Sequence, residues 1–227
     1  MKPIILITLF SLNIFALDLV KPASGLWGIG LGYLDTNYKD EDPLLSPAPY
    51  IFGTYGDVNI EANRATYTLW GNGTFYTSVL GQLRTHQRSK KYNKSSSFEL
   101  GADIGVILPK GFITRLALLL DASNTHNGYE LDYQIYRHDR LGPFSLLSSL
   151  ALQYQDKDLS NYYYGTASYT PDTALVTEVE FIATLPINDF SLFLGLKSYF
   201  YPQTINNSPL SGSNNTTLMF TGLGYSF

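Results

Sequence analysis

SFELGADIGVIL, residues 97–108, alternates without a break: Phe98, Leu100, Ala102, Ile104, Val106 and Leu108 fall on one side of an extended chain, and Glu99, Gly101, Asp103 and Gly105 on the other. Successive side chains of a strand point to opposite faces, so a period of two marks a β-strand with one apolar face. After PKG (109–111) the pattern resumes, with Phe112, Leu116, Leu118 and Leu120 opposing Arg115, Ala117 and Asp121. The two runs read as a tight hairpin.

The same rhythm continues along the chain. Tyr129, Leu131, Tyr133 and Ile135 oppose Glu130, Asp132 and Gln134; Leu175, Val179, Phe181 and Leu185 oppose Glu178 and Glu180; Phe190, Leu192, Leu194, Leu196 and Phe200 oppose Ser191, Gly195, Lys197 and Tyr199. In WGIGLGY (27–33) the glycines fall on alternate positions of such a strand. A nucleotide-binding loop needs a helix directly after it, and none follows here.

Strands of a soluble sandwich average five or six residues, and these runs reach ten or more. Aromatic residues such as Trp27, Tyr33, Tyr129, Phe144, Tyr154, Phe190 and Phe200 stand at strand ends. A tilted strand needs about 9–11 residues to cross a bilayer, and aromatic girdles mark the two interfaces. The pattern therefore predicts an all-β fold, a transmembrane antiparallel barrel. Twelve strands are expected at 26–34, 48–54, 58–62, 65–71, 74–86, 97–109, 111–122, 127–138, 143–155, 174–186, 189–201 and 216–227. Ten is the fallback if 58–62 and 65–71 fuse or fold inward. YGD (55–57), GNG (71–73), PKG, RHDRLG (137–142) and PIND (186–189) become periplasmic turns. The longer 35–47, 87–96, 156–173 and 202–215 become extracellular loops.

The two ends suit an exported barrel. MKPIILITLFSLNIFA (1–16) has a basic start, an apolar run and a small residue at Ala16, and reads as a cleaved signal peptide ahead of a barrel domain at 17–227. In TLMFTGLGYSF (217–227) Met219, Thr221, Leu223, Tyr225 and Phe227 share a lipid-facing side. Leu223, Tyr225 and Phe227 resemble the C-terminal signal that the barrel-assembly machinery of Gram-negative outer membranes reads. The expected location is the outer membrane, in contact with its lipid.

Composition narrows the function. The chain has 227 residues, 15 Lys+Arg against 19 Asp+Glu, and a single basic cluster, RSKKYNK (88–94), which argues against nucleic acid. With no cysteine there is no disulfide, thiolate metal site or thiol nucleophile. DEDP (40–43) reads as a solvated loop, so no metal and no cofactor is expected. His86 and His138 end inward-facing rows and His126 lies in a loop, leaving no obvious nucleophile and base pair. Asp121, His126 and Asp139 are the candidates for a rim protease, but loop roles fit them better, and no catalytic residue is assigned. The inward charges are Glu99, Asp103, Asp121, Glu130, Asp132, Glu178 and Glu180 against Arg84, Arg115 and Lys197. They require water or partners. They describe either an acidic, cation-preferring lumen or a charge-laced plug, and no loop looks long enough to form a porin constriction.

NYKDEDPLLSPAPYI (37–51), NYYYGTAS (161–168), NNSPL (206–210) and the closing strand resemble motifs of the MipA/OmpV family of outer-membrane proteins. Thr166, Asn207 and Lys39 depart from the family pattern. The family motif loops carry over to Tyr162, Tyr163, Tyr164 and Gly165, expected as an extracellular interface belt and turn, and to Ser208, Pro209 and Leu210. The resemblance implies a non-enzymatic scaffold that associates with a murein lytic transglycosylase and a peptidoglycan synthase. A small cation-preferring, porin-like channel or a surface adhesin are the alternatives.

Overall fold

The computed structural model describes residues 23–227. The expected signal peptide at 1–16 lies outside them. Twelve antiparallel strands follow one another around a closed barrel. They are β1 (Ser24–Asp35), β2 (Leu44–Tyr55), β3 (Val58–Glu61), β4 (Arg64–Gly71), β5 (Phe75–Arg84), β6 (Ser97–Ile107), β7 (Phe112–Asp121), β8 (Tyr129–Leu141), β9 (Phe144–Gln155), β10 (Ala174–Ile187), β11 (Phe190–Phe200) and β12 (Asn215–Ser226). Twelve is thus the count, not ten. β3 and β4 remain separate because Ala62, at φ 54°, turns the chain between them. β1 closes on β12 from Leu26↔Ser226 to Asp35↔Thr217.

Alternation along each strand separates an apolar outside from a polar inside. Leu100 is 50% exposed while its neighbour Glu99 is 1% exposed. Ile29, Leu31, Ile104, Leu118, Leu194 and Leu223 are likewise exposed on the outer wall. In water such a continuous belt would drive aggregation, so its natural solvent is hydrocarbon.

Inside, small residues face large ones. A Cβ on Gly105 would stand 2.0 Å from the Tyr76 ring, and one on Gly195 would stand 2.0 Å from the Phe220 ring. Inward glycines therefore leave room for rings from the adjoining strand. At the β1–β12 seam a Cβ on Gly28 would meet Leu223 O at 2.2 Å, so the glycines of WGIGLGY belong to barrel closure.

β2 starts at Leu44, earlier than the expected 48, because Leu44 and Leu45 already pair with Leu34 and Tyr33. Pro47 and Pro49 of this strand sit at an edge. β2 pairs with β3 only over Phe52–Tyr55, and Ile51 O accepts from Ala62 N at 3.0 Å. Backbone groups of Leu45, Pro47 and Pro49 point the same lateral way as those of Ile51, past the end of β3. A proline has no N–H to leave unpaired there. Similarly, RHDRLG is mostly strand, with the turn reduced to Gly142 and Pro143.

Leu118→Arg places a charge on the lipid-facing wall and is expected to lower stability by about 2–4 kcal/mol. Urea unfolding in lipid vesicles measures this, and a change near zero would contradict the facing of β7.

Candidate functional site

The long-loop end of the barrel is filled by its own loops. Two helices occupy segments expected to be loops: α1 (Lys157–Tyr164) and the short α2 (Gln203–Asn206). The carboxylate of Asp156 caps α1 by accepting from Leu159 N at 3.0 Å, and also accepts from Tyr129 N on β8 at 3.0 Å. That second bond pins the helix to the wall. Leu159 and Tyr163, one turn apart, and the adjacent Ser160 and Tyr164 form the buried side. The helix stops at Gly165, where a Cβ would stand 2.1 Å from Asn161 Oδ1.

Three of the quoted motifs meet at this helix. Tyr38, from the first, stacks on Tyr164 at 5.5 Å, and its Oη lies 2.8 Å from Gln87 O and 3.1 Å from Tyr163 O. Ser208 Oγ, from the third, donates to Tyr164 O at 2.6 Å, while Leu210 packs against the same cluster and Pro209 stays exposed. Tyr199, Tyr201 and Ile205 complete the cluster. Tyr163 and Tyr164 are fully buried, so they are not the interface belt the sequence suggested; Tyr162 is partly buried against them. The loops are also long enough to block the lumen, contrary to expectation, because they fold inward as helices.

Beneath the tyrosines lies a layer of paired charge. Arg84 Nε stands 2.7 Å from Glu99 Oε1 and its Nη2 stands 2.9 Å from Glu130 Oε2, with all three side chains nearly inaccessible. Glu99 Oε1 also lies 3.1 Å from His126 Nε2, and His126 Nδ1 accepts from Gly128 N at 3.0 Å. Nδ1 is therefore the acceptor and Nε2 carries the proton toward Glu99. Lys197 Nζ is 3.1 Å from both Glu178 and Glu180. Arg64 meets Asp132 at 2.7 Å and Arg115 meets Glu61 at 3.0 Å. Asp103 Oδ1 has no partner.

Arg64 and Glu61 were missed in the sequence, although parity with Thr66 and Asn59 places both inside. The suggested rim trio does not assemble: Asp121 caps the turn around His126, while Asp139 pairs with Arg137 at 2.8 Å toward the opposite end of β8. His86 stacks flat on Tyr199 at 3.9 Å. In DEDP, Glu41 accepts from Lys90 N at 3.0 Å and Asp40 lies 3.6 Å from Lys91, and no cluster of metal-binding residues occurs among the described residues.

The short-turn end is open. A cavity of about 760 Å³ runs from a rim at Gly56, Asp57 and Ser226 up to Asp103 and Arg115. His138 borders it. The lumen is thus stoppered at one end and hollow at the other.

Removing one partner of a buried ion network leaves the others unpaired, so Arg84→Ala is expected to cost about 3–5 kcal/mol. Arg84→Met combined with Glu99→Gln and Glu130→Gln should recover much of it. Urea unfolding in vesicles measures both, and an unchanged Arg84→Ala barrel would contradict the network. Burial, followed by the nearby Arg84 charge, holds the His86 imidazole well below its ordinary pKa. The unfolded chain then takes up a proton that the folded ring refuses, so stability is full above about pH 6.5 and declines as pH falls below it. His86→Phe should flatten that decline; an identical pH profile would contradict the assignment.

The family described as "MltA-interacting protein MipA" matches residues 27–227. The Escherichia coli K12 "MltA-interacting protein" is 22% identical over 222 residues, covering 88% of this chain and 89% of that protein. The E. coli K12 "Putative outer membrane protein YiaT" is 27% identical over 118 residues, covering 47% of this chain and 48% of that protein, so the match spans about half of the relative. Among solved structures, an outer membrane channel from Pseudomonas putida F1 aligns over 90% of this chain and 96% of its own at 10% identity, with a TM-score of 0.43. With the family matched from the first strand to the last and one relative named as a putative outer membrane protein, this Gram-negative outer-membrane barrel belongs to the MltA-interacting protein MipA family.

Proposed function

We propose that the protein is a non-enzymatic outer-membrane scaffold that holds a murein lytic transglycosylase, and with it a peptidoglycan synthase, at its periplasmic end. The observation carrying this reading is the stoppered lumen. Arg84 and Glu130 are inaccessible from either end, and Tyr163, Tyr164 and Leu159 are buried above them. A barrel built this way offers surfaces rather than a path. The name of the E. coli relative supplies the class of partner. Short turns of such barrels face the periplasm, which places residues 139–143 and 186–189 within reach of the murein layer. On the same reading, Leu223, Tyr225 and Phe227 are the strand that the assembly machinery engages.

The refolded barrel in a planar bilayer should be electrically silent while showing the heat-shifted gel mobility of a folded barrel. It should also capture a murein lytic transglycosylase, with capture reduced by exchanging residues 139–143 and 186–189 for unrelated turns. Steady cation-selective openings altered by Glu178→Gln plus Glu180→Gln would favour the channel instead. Absence of capture by a folded, silent barrel would overturn the scaffold.

A further inference from the structure

The hollow end of the lumen has a use that a scaffold does not require. Its cavity, about 760 Å³, falls within the size range of small-molecule sites. The stopper and the charge layer close it above, so it is a blind pocket entered from the periplasm.

The wall chemistry selects a charge. Its carboxylates are Asp57, Glu61 and Asp103, and its one guanidinium is Arg115. Arg115 is bound to Glu61 at 3.0 Å and its charge also reaches Asp103, so the wall's three carboxylates outnumber its one cation. Asp103 is 3% exposed and stands in the wall of the cavity; Ser78 hydrogen-bonds its carboxylate, while Oδ1 keeps no hydrogen-bond partner. A buried carboxylate oxygen left unpaired is costly, and a positively charged donor is what would compensate it. The rings of Tyr50, Tyr76 and Tyr136 also line the cavity, and Tyr76 lies near Asp103. One of these faces a cation already: the Arg115 guanidinium lies 5.6 Å from the centre of the Tyr136 ring. Aromatic faces beside a carboxylate are the surroundings in which organic ammonium ions bind. Hydroxyls of Thr66 and Thr184 supply further neutral contacts.

We infer that this cavity is a binding site for a small organic cation, a protonated amine with an apolar or aromatic body, with Asp103 as its counter-ion. The site takes its ligand from the periplasm and does not pass it across the membrane. It stands independently of the transglycosylase partner.

Three probes of one shape and different charge test this by calorimetry on the refolded barrel at low salt: benzylammonium, benzyl alcohol and benzoate. Benzylammonium should bind at least about tenfold more tightly than benzyl alcohol, with benzoate weakest. Magnesium chloride at matched ionic strength should not displace it, which separates an organic-cation site from a general attraction of cations. Asp103→Asn should remove the preference for the ammonium. Thr184→Trp, which fills the lower cavity without touching a charge, should weaken all binding there. Heat-shifted mobility verifies folding of each variant. Equal binding of benzylammonium and benzyl alcohol by the unaltered barrel would overturn the proposal without reliance on any variant. So would a preference that survives Asp103→Asn, or complete displacement by magnesium.

Discussion

Hydrocarbon offers no hydrogen bonds, so a sheet immersed in it must have no open edge. The seam between β1 and β12 meets that constraint, with ten residue pairs from Leu26↔Ser226 to Asp35↔Thr217. Much else follows from it. The seam brings the glycine rows of β1 and β12 together, and Gly28 and Gly224 sit opposite each other where side chains would collide. Where the wall is low, beside the four-residue β3, proline replaces the missing neighbour by removing donors at Pro47 and Pro49. Closure and proline are two solutions to the same problem.

A closed barrel then has an interior to fill. Its inward faces carry more carboxylate than cation, and the cations are spread so that each ties strands together. Arg84 joins β5 to β6 and β8, and Lys197 joins β11 to β10. Ion pairs of this kind add little net stability compared with an apolar filling, but they fix one arrangement because each broken pair strands a charge. The tyrosine cluster above them works differently. It buries aromatic surface, and its hydroxyls reach backbone carbonyls of separate loops, which ties 35–43, 85–96, 156–173 and 201–214 into one stopper.

The barrel was legible because period-two alternation is local: Glu99 and Leu100 disclose their facing without knowledge of any other strand. The same parity placed Asp103, Arg115, Glu130, Asp132, Glu178, Glu180 and Lys197 inside. Partners were not legible, because whether Arg84 meets Glu130 depends on how β5 and β8 lie around the barrel, which no local pattern records. The early start of β2 was not legible either, because Leu44 and Leu45 become strand only through their pairing with Leu34 and Tyr33 of β1. The stopper was least legible. An eight-residue helix gives barely two turns of pattern, and three consecutive tyrosines suit an interface belt as well as a packed core. What could have found it is the convergence of the three quoted motifs, which have no common feature until Tyr38, Tyr164 and Ser208 are seen in contact.

Both proposals require a lumen closed to the outside, and the cation site requires it to be open to the periplasm. The chain has no cysteine of its own, so single cysteines can report on each level without background. The most direct measurement is labelling of Thr184→Cys and Ser160→Cys in cells, using a maleimide polymer too large to cross general porins. Thr184→Cys, in the lower cavity, should stay unlabelled in intact cells and react once the periplasm is opened, and Ser160→Cys, inside the stopper, should react in neither. Labelling of Thr184→Cys from outside intact cells would contradict the closed lumen.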